Sequence, residues 1–200
     1  MTSLAFYLAH GAGAGHNNDF LTQLAAAISR QRQQAVIPVT FSYMQEQERS
    51  AKKRPPPKFD TLIPEYRHYV EHEEACIVAG KSMGGRVATQ LSHLPMVKAI
   101  VCFGFPFYPA GKPEKNRLSF LADLQVPCLI IQGTRDSLGN QDWVNQQTLP
   151  ENIDIIWVDG ADHDFKVLKK YNKNLADTIN EVAIATQHWL VNNIQRREIP

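Results

Sequence analysis

Three residue types that can do covalent catalysis together occur in this chain in a telling order. Residues 80–84 read Gly-Lys-Ser-Met-Gly and follow the apolar run Ala75-Cys76-Ile77-Val78-Ala79. A Gly-x-Ser-x-Gly pentapeptide between a strand and a helix is the pattern of a nucleophile elbow, which lifts a serine hydroxyl above the end of a sheet. Glycine suits both flanking positions because a Cβ there would collide with neighbouring strands. A serine hydroxyl is a weak nucleophile near pH 7 and needs a base. Further along, Cys128-Leu-Ile-Ile-Gln132 runs into Gly133-Thr-Arg-Asp136, and Asp154-Ile-Ile-Trp-Val158 runs into Asp159-Gly-Ala-Asp-His163. His163 would take the Ser82 proton and return it to the leaving group, while Asp136 would hold the imidazole in the useful tautomer. Asp159, Asp162 and Asp164 compete for the aspartate role, but Asp136 has the post-strand position that such a triad uses.

A second glycine-rich turn, Ala9-His10-Gly11-Ala12-Gly13-Ala14-Gly15-His16, follows the first apolar run. Such a turn can aim a backbone amide at the oxyanion of an acyl-transfer intermediate. Ala12 is the expected donor beside Met83, with Gly13 the alternative. Loss of one such donor typically costs ~10²–10³ in rate. His10 reads as an orienting or structural residue. His16 either faces the site or begins the next helix. Tyr43, Phe105, Phe107 and Tyr108 either line an apolar acyl pocket or pack beneath the rim.

Rival motif readings fail on detail. Gly11-x-Gly13-x-Gly15 lacks the spacing of a dinucleotide fingerprint, and no acidic residue follows at the required distance. Gly80-Lys81-Ser82 resembles the end of a phosphate-binding loop, but the position needing glycine is Ala75. The seven histidines show no metal-ligand spacing, so neither a metal nor a cofactor is expected.

The elements that must position these residues read as alternating strands and helices. Apolar runs at 4–9, 35–41, 76–79, 99–103, 128–132 and 154–158 are mostly continuous, as in a parallel sheet buried on both faces. Between them lie helical stripes: Phe20, Leu21, Leu24, Ala25 and Ile28; then Leu62, Ile63, Tyr66, Tyr69 and Val70. The last is Leu175, Ile179, Val182, Thr186, Trp189, Leu190 and Ile194. The stretch 84–94 is also helix-compatible. The expected fold is an α/β three-layer sandwich with about six mostly parallel strands, in one domain over 1–200. Residues 42–58 read as a long polar loop at the site rim, carrying Lys52-Lys53-Arg54 and Pro55 to Pro57. That loop is a lid, a docking segment for a protein partner, or a disordered segment.

At 200 residues, with 44% hydrophobic and 20% charged residues, the chain has an ordinary globular composition. A net charge of +1 offers no general attraction to nucleic acid or to an anionic membrane. No apolar run approaches the ~18–20 residues of a membrane span. The first nine residues lack the basic start of a signal peptide and read as a strand. Cys76, Cys102 and Cys128 each fall in an apolar run, which suggests packed thiols and a cytoplasmic setting.

With these motifs in order, the chain resembles the α/β-hydrolase superfamily over nearly its whole length. More narrowly, it is similar to a small branch whose relatives include a testis-expressed hydrolase-like protein and a regulatory subunit of a nonspecific-lethal histone-acetyltransferase complex. The shared motifs are His10-Gly11-Ala12, Gly80-Lys-Ser-Met-Gly-Gly-Arg86, Gly133-Thr-Arg-Asp136 and Ala161-Asp-His163. The resemblance implies an acyl-Ser82 mechanism with Asp136 and His163; the chain departs from the full fold in an expected sheet of about six strands and in lacking the long insertion that could build a cap. It implies a small-molecule ester or thioester substrate. A non-catalytic interaction module and a peptidase or acyltransferase using the same triad are the alternatives.

Overall fold

The computed structural model describes residues 4–194. Residues 1–3 of the N-terminal segment and residues 195–200 lie outside the described residues. Six strands form one sheet: β1 (Ala5–Ala9), β2 (Val36–Val39), β3 (Cys76–Lys81), β4 (Val97–Phe103), β5 (Cys128–Gly133) and β6 (Ile153–Val158). Their order is β2-β1-β3-β4-β5-β6, and every pairing is parallel.

Successive side chains of a strand point to opposite faces, and here both faces are apolar. Phe6, Leu8, Ile77, Ala79, Ala99, Val101, Phe103, Leu129 and Ile131 form one core with helices α1 (Asp19–Arg32) and α6 (Leu175–Ile194). Tyr7, Ala9, Cys76, Val78, Ile100, Cys102, Cys128 and Ile130 form the other. That second face is covered by α2 (Ser42–Ser50), α3 (Leu62–Val70) and α4 (Met83–Thr89). Burial of each large apolar side chain contributes about 1.5–3 kcal/mol, so the two cores carry most of the favourable folding energy. Pro38 lies in β2, where an edge strand tolerates its missing N–H. The short α5 (Gln141–Val144) follows β5 and is capped by the Asn140 side chain.

Two expectations change. Residues 42–50 form helix α2, so only 51–58 remain irregular. The prolines of this segment all lie at 55–57, while Met44, Gln45, Glu46, Gln47, Glu48 and Arg49 are good helix formers. Tyr43 and Met44 supply its buried side, and Ala51 ends it in the left-handed region at φ 54°. Helix α4 stops at Thr89, and the chain continues in tighter turns, with Leu91 N donating to Ala88 O at 3.0 Å and Leu94 N to Leu91 O at 3.0 Å.

The chain leaves β1 for β2 on one side, then crosses to β3 on the other. The carboxyl ends of β1 and β3 therefore flank a switch point, where open α/β sheets leave a crevice.

Candidate active site

Ser82 sits at the tip of the turn from β3 into α4, at φ 52° and ψ −113°. A non-glycine residue rarely occupies such a conformation, which costs on the order of 1–3 kcal/mol unless its surroundings enforce it. The surroundings here do so. Ser82 N donates to Phe103 O at 3.0 Å, and Arg86 N donates to Ser82 O at 3.1 Å. A Cβ on Gly84 would lie 2.6 Å from the carbonyl oxygens of Ala9 and His10. A Cβ on Gly80 would overlap the backbone of Gly84 and Gly85. One glycine thus lets α4 approach β1, while the other lets it fold back on its own strand instead of touching a neighbouring one. Below the turn, Tyr66 of α3 reaches between β1 and β3: its hydroxyl accepts from Ala79 N at 3.0 Å and lies 2.7 Å from Ala79 O.

The Ser82 hydroxyl meets His163 Nε2 at 2.9 Å, and His163 Nδ1 meets Asp136 Oδ2 at 2.8 Å. A carboxylate oxygen only accepts, so Nδ1 carries the proton and Nε2 is free to accept from the serine. Asp136 is fully buried, whereas the His163 side chain keeps 22% of its surface exposed. Asp136 also accepts from Gln132 Nε2 at 2.9 Å and from Leu138 N at 2.8 Å. The loops bearing Asp136 and His163 are tied together. Arg135 N donates to Ala161 O at 3.0 Å, Arg135 Nη1 to Gly160 O at 2.9 Å, and Gly160 N to Thr134 Oγ1 at 2.8 Å. Asp162 turns away, accepting from Asp164 N and Lys166 N to shape its own loop.

The glycine-rich turn is held from behind. His10 is fully buried; its Nδ1–H donates to Gly11 O at 2.6 Å, and its Nε2 accepts from Phe41 N at 3.1 Å. Burial pushes its ring down to about 4, against a smaller upward pull from the Gly11 carbonyl, so it stays neutral at pH 7. The Tyr43 hydroxyl donates to Ala12 O at 3.0 Å. With its carbonyl engaged there, Ala12 lines both cavities that touch Ser82. Among the described residues, neither Ala12 N nor Met83 N donates to a protein acceptor. A Cβ on Gly13 would meet nothing within 4 Å, since that glycine faces open space.

A family model described as "alpha/beta hydrolase domain" matches residues 2–191. The chain belongs to that family. Solved structures agree on the fold of this hydrolase-family chain. The esterase domain of a Rhodothermus marinus protein is similar over 96% of this chain and 89% of its own, with TM-score 0.67 at 16% identity. An alpha-beta serine hydrolase homologue from Coxiella burnetii covers 92% and 85%, with TM-score 0.62 at 16% identity. Est1E from Butyrivibrio proteoclasticus, with ferulic acid bound, covers 96% and 90%, with TM-score 0.63 at 13% identity. At these identities the likeness is one of fold. Comparison with curated proteins yields no match.

Two cavities of this alpha/beta hydrolase meet at Ser82. One, of about 310 Å³, is lined by the 11–14 turn, Asn18, Phe20, Lys81 and His163. The other, of about 330 Å³, is lined by Pro56, Pro57, Phe59, Arg86, Pro106 and Arg117. The expected pocket residues lie elsewhere. Phe105 and Phe107 are fully buried and pack edge to face at 5.0 Å, while Tyr108 packs on Trp143 at 4.7 Å. The reason is alternation after the left-handed Gly104: Phe105 and Phe107 turn into the core, and Pro106 between them faces the cavity. Tyr43 supports the glycine-rich turn from behind. His16 precedes α1, where its Nε2 lies 3.3 Å from Val39 O, and burial lowers its pKa.

Motif reading passed over Lys81, Gln132 and Tyr66. Lys81 is nearly buried, with Nζ 5.9 Å from the Phe20 ring and 6.0 Å from the Phe165 ring. Burial pushes its ammonium down to about 8, while Asp136, Asp164 and Asp162 pull the other way. A lone lysine in an otherwise buried strand, and a lone glutamine ending the apolar Cys128-Leu-Ile-Ile run, were the available signals. Among the described residues, no helix is long and apolar enough to cross a membrane, and no His, Cys, Asp or Glu cluster is placed to hold a metal.

Proposed function

We propose that this protein is a serine hydrolase that cleaves a carboxylic ester or thioester of a small molecule through an acyl-Ser82 intermediate. The observation that carries this reading is the unbroken relay from the Ser82 hydroxyl through both nitrogens of His163 to the buried Asp136. The motif Gly80-Lys-Ser-Met-Gly-Gly-Arg86 favours the branch related to the testis-expressed and histone-acetyltransferase-complex proteins. Est1E was captured with ferulic acid, a carboxylic acid, and that supports an acyl substrate here by analogy of fold.

The chemistry follows from the geometry. Ser82 Oγ attacks the acyl carbon as its proton passes to His163 Nε2, and Asp136 stabilises the resulting imidazolium. The amides of Met83 and Ala12 meet the oxyanion, so its charge develops against donors that are already in place. His163 Nε2 then protonates the leaving alcohol or thiol. Water, deprotonated by the same nitrogen, releases the acid and regenerates Ser82.

A fluorophosphonate probe tests this reading. Wild-type protein is expected to label rapidly at Ser82, and Ser82→Ala and His163→Ala are expected not to label. Absence of labelling in folded wild type would sink the hydrolase reading in favour of a non-catalytic interaction module.

A further inference from the structure

The cavity between residues 56–59 and the elbow holds two cations and no anion. Its lining is Ala12, Leu62, Leu138 and Met83 with three prolines and Phe59, and its only charged residues are Arg86 and Arg117. Arg86 lies four residues past Ser82, one turn along α4. Its guanidinium carbon lies 4.0 Å from the Phe59 ring centroid and 5.1 Å from that of Phe120, and those two rings pack edge to face at 5.0 Å. Aromatic faces hold a guanidinium in place without neutralising it.

The polar side of this arrangement is incomplete. Arg86 Nε is buried without a hydrogen-bond acceptor, and no ion pair involves Arg86 among the described residues. Arg117 spends Nη1 on Pro106 O at 3.1 Å and likewise faces no carboxylate. Burial, and secondarily the charge of Arg117, lower the Arg86 pKa to about 10, which still leaves it charged at pH 7. Two half-buried guanidinium groups in an apolar cavity repel each other and, among the described residues, lack an acidic partner, which costs stability in the free protein. Guanidinium matches carboxylate and phosphate oxygens with paired N–H donors.

We infer that this cavity receives an anionic oxygen group, a carboxylate or a phosphate, carried by the substrate on one side of the scissile ester. The inference rests on the hydrolase reading above and adds the substrate class to it. The anion would pair with both guanidinium groups and anchor the ester carbon over Ser82.

Matched ester pairs test it. The mono-4-nitrophenyl ester of adipic acid is compared with 4-nitrophenyl hexanoate, placing charge on the acyl side. Then 4-acetoxybenzoate is compared with 4-acetoxybenzamide, placing charge on the alcohol side. Fluorophosphonate labelling runs in parallel, and succinate and inorganic phosphate are tried as competitors. Wild type is expected to favour the anionic member of one pair by about tenfold or more in kcat/KM, mainly through KM. That ratio should fall towards one in Arg86→Met and in Arg117→Gln. The stronger competitor tells carboxylate from phosphate.

Labelling and turnover with no anionic preference and no competition by either anion would overturn the subsite and leave the hydrolase reading standing. A preference that survives both substitutions would overturn it too. Neither labelling nor turnover would overturn both readings together. Should a variant fail to fold, salt supplies the readout in wild type: the preference must weaken as ionic strength rises from about 0.05 to 0.5 M, and an unchanged preference counts against the arginines.

Discussion

Ser82 divides the site into two regions built on opposite principles. On the relay side, the polar atoms of Asp136 and His163 have partners, and the loops carrying them are joined by backbone hydrogen bonds. On the cavity side, Arg86 keeps an orphaned Nε and residues 51–58 are exposed. A relay must be preorganised, because any motion of its donors during reaction adds to the barrier. A substrate subsite can leave polar groups unpaired, because the ligand completes them. The comparison teaches that the Ser82–His163–Asp136 relay is itself fully paired, although Gln132 Oε1 beside it is buried without a partner, whereas the proposed subsite leaves Arg86 Nε open.

That contrast can be broken most forcefully at the relay. Ser82→Ala or His163→Ala should lower kcat on a neutral 4-nitrophenyl ester by at least about 10⁴-fold. Steady-state assays giving a loss below tenfold would remove the relay from the chemistry. Next in size is the elbow's backbone. Gly84→Ala drives a Cβ into the Ala9 and His10 carbonyls, so urea unfolding should show a loss of about 4 kcal/mol or more, or no folded protein at all. Gly13→Ala, with open space around it, should change stability by no more than about 0.5 kcal/mol. Similar losses at the two glycines would erase the distinction between a packed elbow and an open turn.

The support beneath the glycine-rich turn titrates. His10 has its ring pushed from 6.5 to about 4 in the fold. Between those values the unfolded chain binds more protons than the folded one. Its contribution is therefore complete above pH 6.5 and is lost as the pH falls towards 4, by roughly 3 kcal/mol in all. Urea midpoints at pH 7 and pH 4.5 should diverge more in wild type than in His10→Asn; equal divergence would show that His10 does not carry the effect. A loss between those at Gly84 and Gly13 is expected at Tyr66→Phe. It leaves the buried Ala79 N–H without its hydroxyl acceptor and should cost ~1–3 kcal/mol in thermal or urea unfolding, with Ser82 labelling intact.

Much of this architecture was legible because its signals are local. Six apolar runs with helical stripes between them anticipate the six-stranded parallel sheet. Ser82, Asp136 and His163 each follow such a run, so their shared sheet edge could be anticipated as well. The pocket was not legible in the same way. In sequence Phe105 and Phe107 could either line an acyl site or pack beneath the rim, and the left-handed Gly104 sets their phase and turns both rings inward. Residues 42–50 look like loop because their charges mask one buried face, carried by Tyr43 and Met44.

The sequence by itself determined the strands, the elbow and the order of Ser82, Asp136 and His163, since each depends on neighbours a few positions apart. Only the tertiary structure decided what surrounds Ser82. It brought Gln132 under Asp136, set Tyr43 behind the Ala12 carbonyl, and left Arg86 and Arg117 facing one cavity without a carboxylate. Tyr43 and Ala12 lie 31 positions apart, and even for the near pair Gln132 and Asp136 no local pattern encodes the direction in which a packed side chain must point.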